Sequence, residues 1–229
     1  MKKIVWTLNV DDYAPNITAI TYPLIRYYAN KIDAEFRIIS ERKFPSWPVT
    51  YEKLQIYELA QEAGADWNIY LDSDAIIHPE TPDWTEIINK DTVFHHGYDV
   101  GLIRWKYDKY FRRDNRHIGS CNWCTIASYW CIDLWKPIDD MTLEETLTRI
   151  RPTVIESNGI IVPEHLIDDY ALSRNIAKFG LKVGMLMAII KDRMPFLKAY
   201  WHAYNVPEDK KVIQMIEVIK EWELFKYYD

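Results

Sequence analysis

The chain has 229 residues, 48% of them hydrophobic and 27% charged, with a formal net charge of −6 at pH 7. That length supports a sizeable core and is most simply one domain of ordinary globular composition. The acidic balance excludes a nucleic-acid binder that works by general electrostatic attraction, and no apolar run reaches the length of a membrane span, so the expected partners include no nucleic acid and no membrane span.

The first half alternates strand and helix patterns. Residues 3–9 form a short β-type run ending at the polar Asn9-Val10-Asp11-Asp12. Helical spacing follows over 18–32, with Pro23 as a kink or a sign of a later start. Residues 35–40 alternate as a strand, and a Pro-punctuated loop covers 42–48. Residues 51–63 read as an amphipathic helix with Gly64 in the stop position. The apolar run Trp67-Asn68-Ile69-Tyr70-Leu71 then predicts a buried strand. Strand, helix, strand, helix, strand implies right-handed βαβ units and a largely parallel sheet.

The second half is less regular. A strand is expected over 100–105, a charged and aromatic loop over 106–122 and a short strand over 125–128. A helix over 142–149 opens with the capping box Thr142/Glu145. A longer helix over 163–179 stops at Gly180, a strand follows over 183–189, and 207–225 form a terminal amphipathic helix.

Lys2-Lys3 and the apolar residues after them are too short for a signal peptide, and the expected compartment is the cytoplasm. Cys121, Cys124 and Cys131 are an odd number. Cys121-x-x-Cys124 has the spacing of half a zinc site or a redox pair, but no second pair follows and the nearest upstream histidine is His117. Core or loop thiols in a reducing compartment are the expectation. The 10 tryptophans and 16 tyrosines suit stacking on sugar rings and bases as well as they suit filling a core.

The strand over 67–71 stops at two carboxylates, Asp72-Ser73-Asp74. In an open α/β sheet ligands bind just beyond the carboxyl ends of strands, and two hard oxygen ligands there suit Mn²⁺ or Mg²⁺. Against an anionic ligand such a pair is repulsive, by about 4 kcal/mol per unit-charge pair at 4 Å and an effective dielectric of about 20. A divalent cation reverses that sign.

Leu71-Asp72-Ser73-Asp74, placed after two βα units and before Ile76-Ile77, resembles the DxD motif of GT-A-fold glycosyltransferases, which move a sugar from a nucleotide diphosphate to a hydroxyl. The resemblance implies a single GT-A (Rossmann-like) α/β domain over 1–229, with a mixed, mostly parallel central sheet flanked by helices. About 1–100 would be the nucleotide-binding half and about 101–229 the acceptor-binding half. Asp72 and Asp74 would hold Mn²⁺ or Mg²⁺ bridging the donor diphosphate, with Ser73 beside it. The segment 167–180 looks like the helix these enzymes write with an acidic pair, and the implied base of an inverting reaction is Asp169; Asp168 is its neighbour. In a retaining reaction either would orient the acceptor. Tyr200-Trp201-His202-Ala203 matches the C-terminal histidine segment of several such families, so His202 is the implied third metal ligand.

Thr7, Leu8, Asn9 and Tyr13, at the end of the first strand, are implied contacts to a uracil-like base. Lys53 opens a helix, where it either reaches the donor or pairs locally with Glu52. The basic-aromatic cluster from Arg104 to Arg116 is either a grip on diphosphate or acceptor, or a solvated loop face. The implied activity is transfer of a hexose-type sugar from a UDP-sugar donor to a glycan or glycoprotein acceptor, as in soluble bacterial or virus-encoded enzymes, in host cytoplasm if virus-encoded. Two alternatives stand beside it. A haloacid-dehalogenase-type phosphatase would use Asp72 as nucleophile and Asp74 as acid, though its motif follows the first strand. A non-catalytic carbohydrate-binding protein would account for the aromatic content.

Overall fold

The computed structural model describes residues 1–96, 112–113, 116–117, 123–156, 163–193, 198–203 and 206–228. The expected strand over 100–105, the side chains of the basic-aromatic cluster and Cys121 lie outside the described residues. Inside that region two short strands, Arg112–Arg113 and Arg116–His117, pair antiparallel where a loop was expected.

In chain order, β1 is Lys3–Leu8, α1 Pro15–Lys31, β2 Ala34–Ile39, α2 Ile56–Ala63, β3 Trp67–Leu71, β4 Ile76–Ile77 and β5 Thr92–His95. The short pair above is β6 and β7. Then come β8 Cys124–Ser128, α3 Leu143–Glu156, α4 Ile167–Phe179, β9 Lys182–Met185, α5 Leu186–Arg193, β10 Tyr200–Trp201 and α6 Glu208–Glu221. Single 3-10 segments precede α2 (Val49–Gln55) and α4 (Pro163–Leu166).

Six strands form one sheet in the order β2-β1-β3-β8-β5-β9. β1 runs parallel to β2 and β3, and β5 parallel to β9, while β8 runs antiparallel to both neighbours. Strands of both halves of the chain therefore hydrogen-bond into a single mixed sheet.

Both faces are covered at the centre of that sheet, which is why β1, β3 and β8 are buried along almost their whole length, whereas the edge strands β2 and β9 are partly exposed. The period of two assigns their side chains. Val5, Ile69, Leu71 and Ile126 face α1 and α5, packing with Ile25, Tyr28, Leu186 and Ile190. Ile4, Trp6, Tyr70 and Ala127 face α2 and α4, packing with Ile56, Ala60, Leu172 and Ile176. The one amide in β3, Asn68, is buried and accepts the Trp6 indole N–H at 2.8 Å. A smaller cluster seats α6 on α1 through Met215, Val218, Ile219, Ile17 and Leu24.

Three local signals behave as their chemistry dictates. Gly64 and Gly180 end α2 and α4 in the left-handed region, at φ 62° and 64°. The Thr142/Glu145 box is formed in both directions, Thr142 N–H to Glu145 at 2.7 Å and Glu145 N–H to the Thr142 hydroxyl at 3.2 Å. Pro23 sits inside α1, whose start at Pro15 precedes the expected one. The expected strand over 183–189 is corrected: β9 stops at Met185 and the rest of that apolar run is the first turn of α5.

Candidate metal and nucleotide site

The acidic pair lies in a turn that begins where β3 ends. Asp72 donates its N–H to the Trp123 carbonyl at 2.8 Å and its carbonyl accepts from Ala75 at 3.0 Å, closing the turn. The Thr21 hydroxyl of α1 clamps it from behind, donating to the Ser73 carbonyl at 2.6 Å. β4, just past the turn, pairs antiparallel with β10, Trp201 opposite Ile76, and this pairing delivers His202 to the acidic pair.

His202 Nε2 lies 3.3 Å from Asp74 Oδ1. Asp72, Asp74 and His202 each present one ligand atom, all within 4.8 Å of one another. Asp72 gives Oδ1 to the Tyr70 hydroxyl at 2.6 Å and to Lys53 Nζ at 3.3 Å. Its Oδ2 accepts no hydrogen bond among the described residues. Two carboxylate oxygens and an imidazole nitrogen converge, a donor set that fits a divalent cation such as Mn²⁺ or Mg²⁺ once Nε2 gives up the proton it shares with Asp74.

Two buried lysines from distant elements complete the cluster. Lys53 lies 2.5 Å from Asp168 Oδ2, beside Asp72, and 4.6 Å from the centre of the Tyr70 ring. Lys211 of α6 lies 2.5 Å from Asp74 Oδ2. Glu52 pairs instead with Arg42 at 2.9 Å, so the local Glu52–Lys53 pairing is not what forms. Burial opposes the charge of Lys53, but Asp168 and Asp72 hold its pKa well above the ordinary lysine value. Burial works against the Asp74 carboxylate too, yet the hydrogen bond and charge of His202, joined by Lys211, keep it well below the usual carboxylate range. Asp72 is pushed up by burial and by Asp74, against the pull of Lys53. His202 is raised above its ordinary value because Asp74 outweighs the effect of burial.

Beside the cluster opens a cavity of about 480 Å³ lined by Leu8, Tyr13, Val49, Thr50, Lys53, Tyr70, Asp72, Ser73, Asp74 and His165, among others. Of the expected base contacts, Leu8 and Tyr13 line it. Thr7 is fully buried, and Asn9 spends its N–H on the Ile39 carbonyl at 2.9 Å; neither lines the cavity. Tyr13 is 53% exposed; its hydroxyl is raised by burial and by the nearby Asp74 and Asp72. The segment that carries it is strained, with Asp11, Asp12 and Ala14 all at positive φ. Asp168 is joined to the cluster through Lys53. Asp169 is buried beside it on α4.

Lys211, Tyr70 and His165 were not among the expected site residues. A signal existed for Lys211: with Met215, Val218 and Ile219 it occupies the i, i+4, i+7, i+8 positions of one helix face, where a lysine is out of place. Cys124 and Cys131 are free and buried, as expected of core thiols. Among the described residues no helix is long and apolar enough to cross a membrane.

No family model matches the sequence, and neither does any curated protein. Solved structures do match the fold. A glycosyltransferase involved in the glycosylation of the major capsid of PBCV-1 aligns over 95% of this chain and 100% of its own, at 11% identity and a TM-score of 0.51. The galactosyltransferase LgtC, solved with donor and acceptor sugar analogues, aligns over 96% and 95%, at 13% identity and 0.49. GlyE of Streptococcus pneumoniae TIGR4, another glycosyltransferase, aligns over 99% of this chain and 64% of its own, at 12% and 0.44. Identities this low speak to architecture alone, and on the first of these alignments, taken with the mixed sheet described above, the chain has the GT-A glycosyltransferase fold.

Proposed function

We propose that the protein is a metal-dependent glycosyltransferase that moves a hexose-type sugar from a nucleotide diphosphate donor, a UDP-sugar, to a hydroxyl of a glycan or glycoprotein. The observation that carries this reading is the convergence of Asp72, Asp74 and His202 at the rim of the Tyr13–Lys53 cavity. Asp72, Asp74 and His202 would hold Mn²⁺ or Mg²⁺, which supplies positive charge against the leaving diphosphate. Lys211 and Lys53 add two fixed ammonium groups next to the carboxylates, so the anionic donor is met by cations and not by bare aspartates.

Tyr13 and Leu8 face the base in this reading, and the N-terminal half of the chain holds the donor while the C-terminal half receives the acceptor. Asp169 takes the acceptor proton if the reaction inverts; if it retains, Asp168 or Asp169 orients the acceptor. The acidic pair follows the third strand of a GT-A sheet, which disfavours the phosphatase alternative. A half-buried ligand cluster beside a cavity is likewise more than a carbohydrate-binding module needs.

The test is a thermal-shift screen of nucleotide sugars with and without Mn²⁺. Stabilisation by one donor class that needs the metal and disappears in Asp74→Ala supports the reading. Mn²⁺ and UDP that leave the melting temperature unchanged, singly and together, sink it.

A further inference from the structure

Trp123 is outside both the acidic pair and the cavity wall, yet it holds the two halves of the ligand cluster. It stands immediately before β8 and is 4% exposed. Its carbonyl accepts the Asp72 N–H at 2.8 Å, at the first residue of the turn that carries both carboxylates. Its indole lies flat against the His202 imidazole, with ring centroids 5.0 Å apart and planes inclined by only 12°. The same indole contacts His96 at 4.3 Å and, edge-on, Tyr200 at 6.3 Å.

The β4–β10 pairing fixes the backbone that leads to His202 but not the rotation of the ring. An imidazole torsion about its last bond is broad and two-fold, and only one ring plane aims Nε2 at Asp74 Oδ1. A flat, immobile indole against one face holds the ring in that plane, and the Asp74 carboxylate selects the flip that presents Nε2. We propose that Trp123 is the positioning residue of the metal centre: its main chain sets the Asp72 turn and its side chain sets the plane of the His202 ring. This rests on the metal reading above. It assigns to an aromatic face the orienting role that hydrogen-bond partners usually play behind a metal-bound histidine.

The test compares the wild type with Trp123→Phe, which keeps a flat face, and Trp123→Leu, which keeps only bulk. Both keep the carbonyl. Calorimetric titration with Mn²⁺ alone is expected to show about tenfold weaker binding in Trp123→Leu and a loss of less than about threefold in Trp123→Phe. A merely structural tryptophan would lower the melting temperature of Trp123→Leu and leave the affinity of the folded protein unchanged, which overturns the inference. Nuclear magnetic resonance of the metal-free wild type gives a check without any variant. His202 ring protons shifted upfield by the indole support the stack, and protons at ordinary positions overturn it. A wild type that ignores Mn²⁺ overturns the metal reading itself, an outcome distinct from equal binding by wild type and Trp123→Leu.

Discussion

Asp74 lies between an ammonium and an imidazole, with one oxygen given to each. Removing one member of such a buried pair strands the other. Lys211→Met is therefore expected to lower stability by about 3 kcal/mol in metal-free buffer, the lower end for a broken buried pair because His202 remains at Asp74. Asp74→Asn in the same chain should return part of that loss, with a coupling energy of about 1–3 kcal/mol. Urea unfolding of the two single variants and the double variant measures it; strict additivity would show that Lys211 and Asp74 do not interact. The convergence of Asp72, Asp74 and His202 was legible in the sequence, because an apolar run that halts at Asp-x-Asp marks the carboxyl end of a strand. Three features were not. The partner of Lys53 is Asp168, more than a hundred positions away, and no local pattern reports a pairing at that separation. Thr7 shares the face of Val5, toward α1, because β1 alternates, so proximity in sequence to the site did not bring it to the cavity. Trp123 acts through a ring face and a carbonyl, which leave no motif.

At the level of elements, two glycines separate backbone geometry from packing. Gly64 closes α2 at φ 62°, and a Cβ there would meet nothing within 4 Å. Gly64→Ala should cost about 1 kcal/mol, all of it from the left-handed backbone. Gly184 lies in β9 opposite Phe94, and a Cβ there would come within 2.5 Å of the Phe94 ring. Gly184→Ala should cost about 1–3 kcal/mol, from overpacking. Pairing it with Phe94→Leu should relieve the loss, whereas no neighbour substitution rescues Gly64→Ala; chemical denaturation of the four variants decides. The βαβ start of the chain was readable because each strand is followed by a helix of clear period. The 183–189 run was not, since a short apolar stretch looks alike as a buried strand and as a buried helical turn. β4, β5 and β10 are two to four residues long, too short for a period to register, and they owe their existence to partners across the sheet.

Across the whole molecule, the ligand cluster joins a turn at 72–74 to the residue that follows β10, so it exists only when the two-stranded β4–β10 pairing has formed beside the main sheet. Binding there should stabilise the molecule globally. At a hundredfold excess over its dissociation constant, a ligand adds about 2.7 kcal/mol. For a chain of this size that corresponds to a rise of about 5–10 °C in melting temperature. Far-ultraviolet and near-ultraviolet circular dichroism should shift together on adding Mn²⁺ with UDP, and a shift confined to the near-ultraviolet would show that only the site responds. One further consequence follows from α1. The strained segment that bears Tyr13 feeds directly into this helix, and less than two turns separate Pro15 from the clamp that follows: Thr21, early in the same rod, grips the Ser73 carbonyl. Tyr13 at the cavity mouth and the turn that carries both carboxylates are thus tethered to the same end of one rod, the first through the segment that enters it and the second through Thr21.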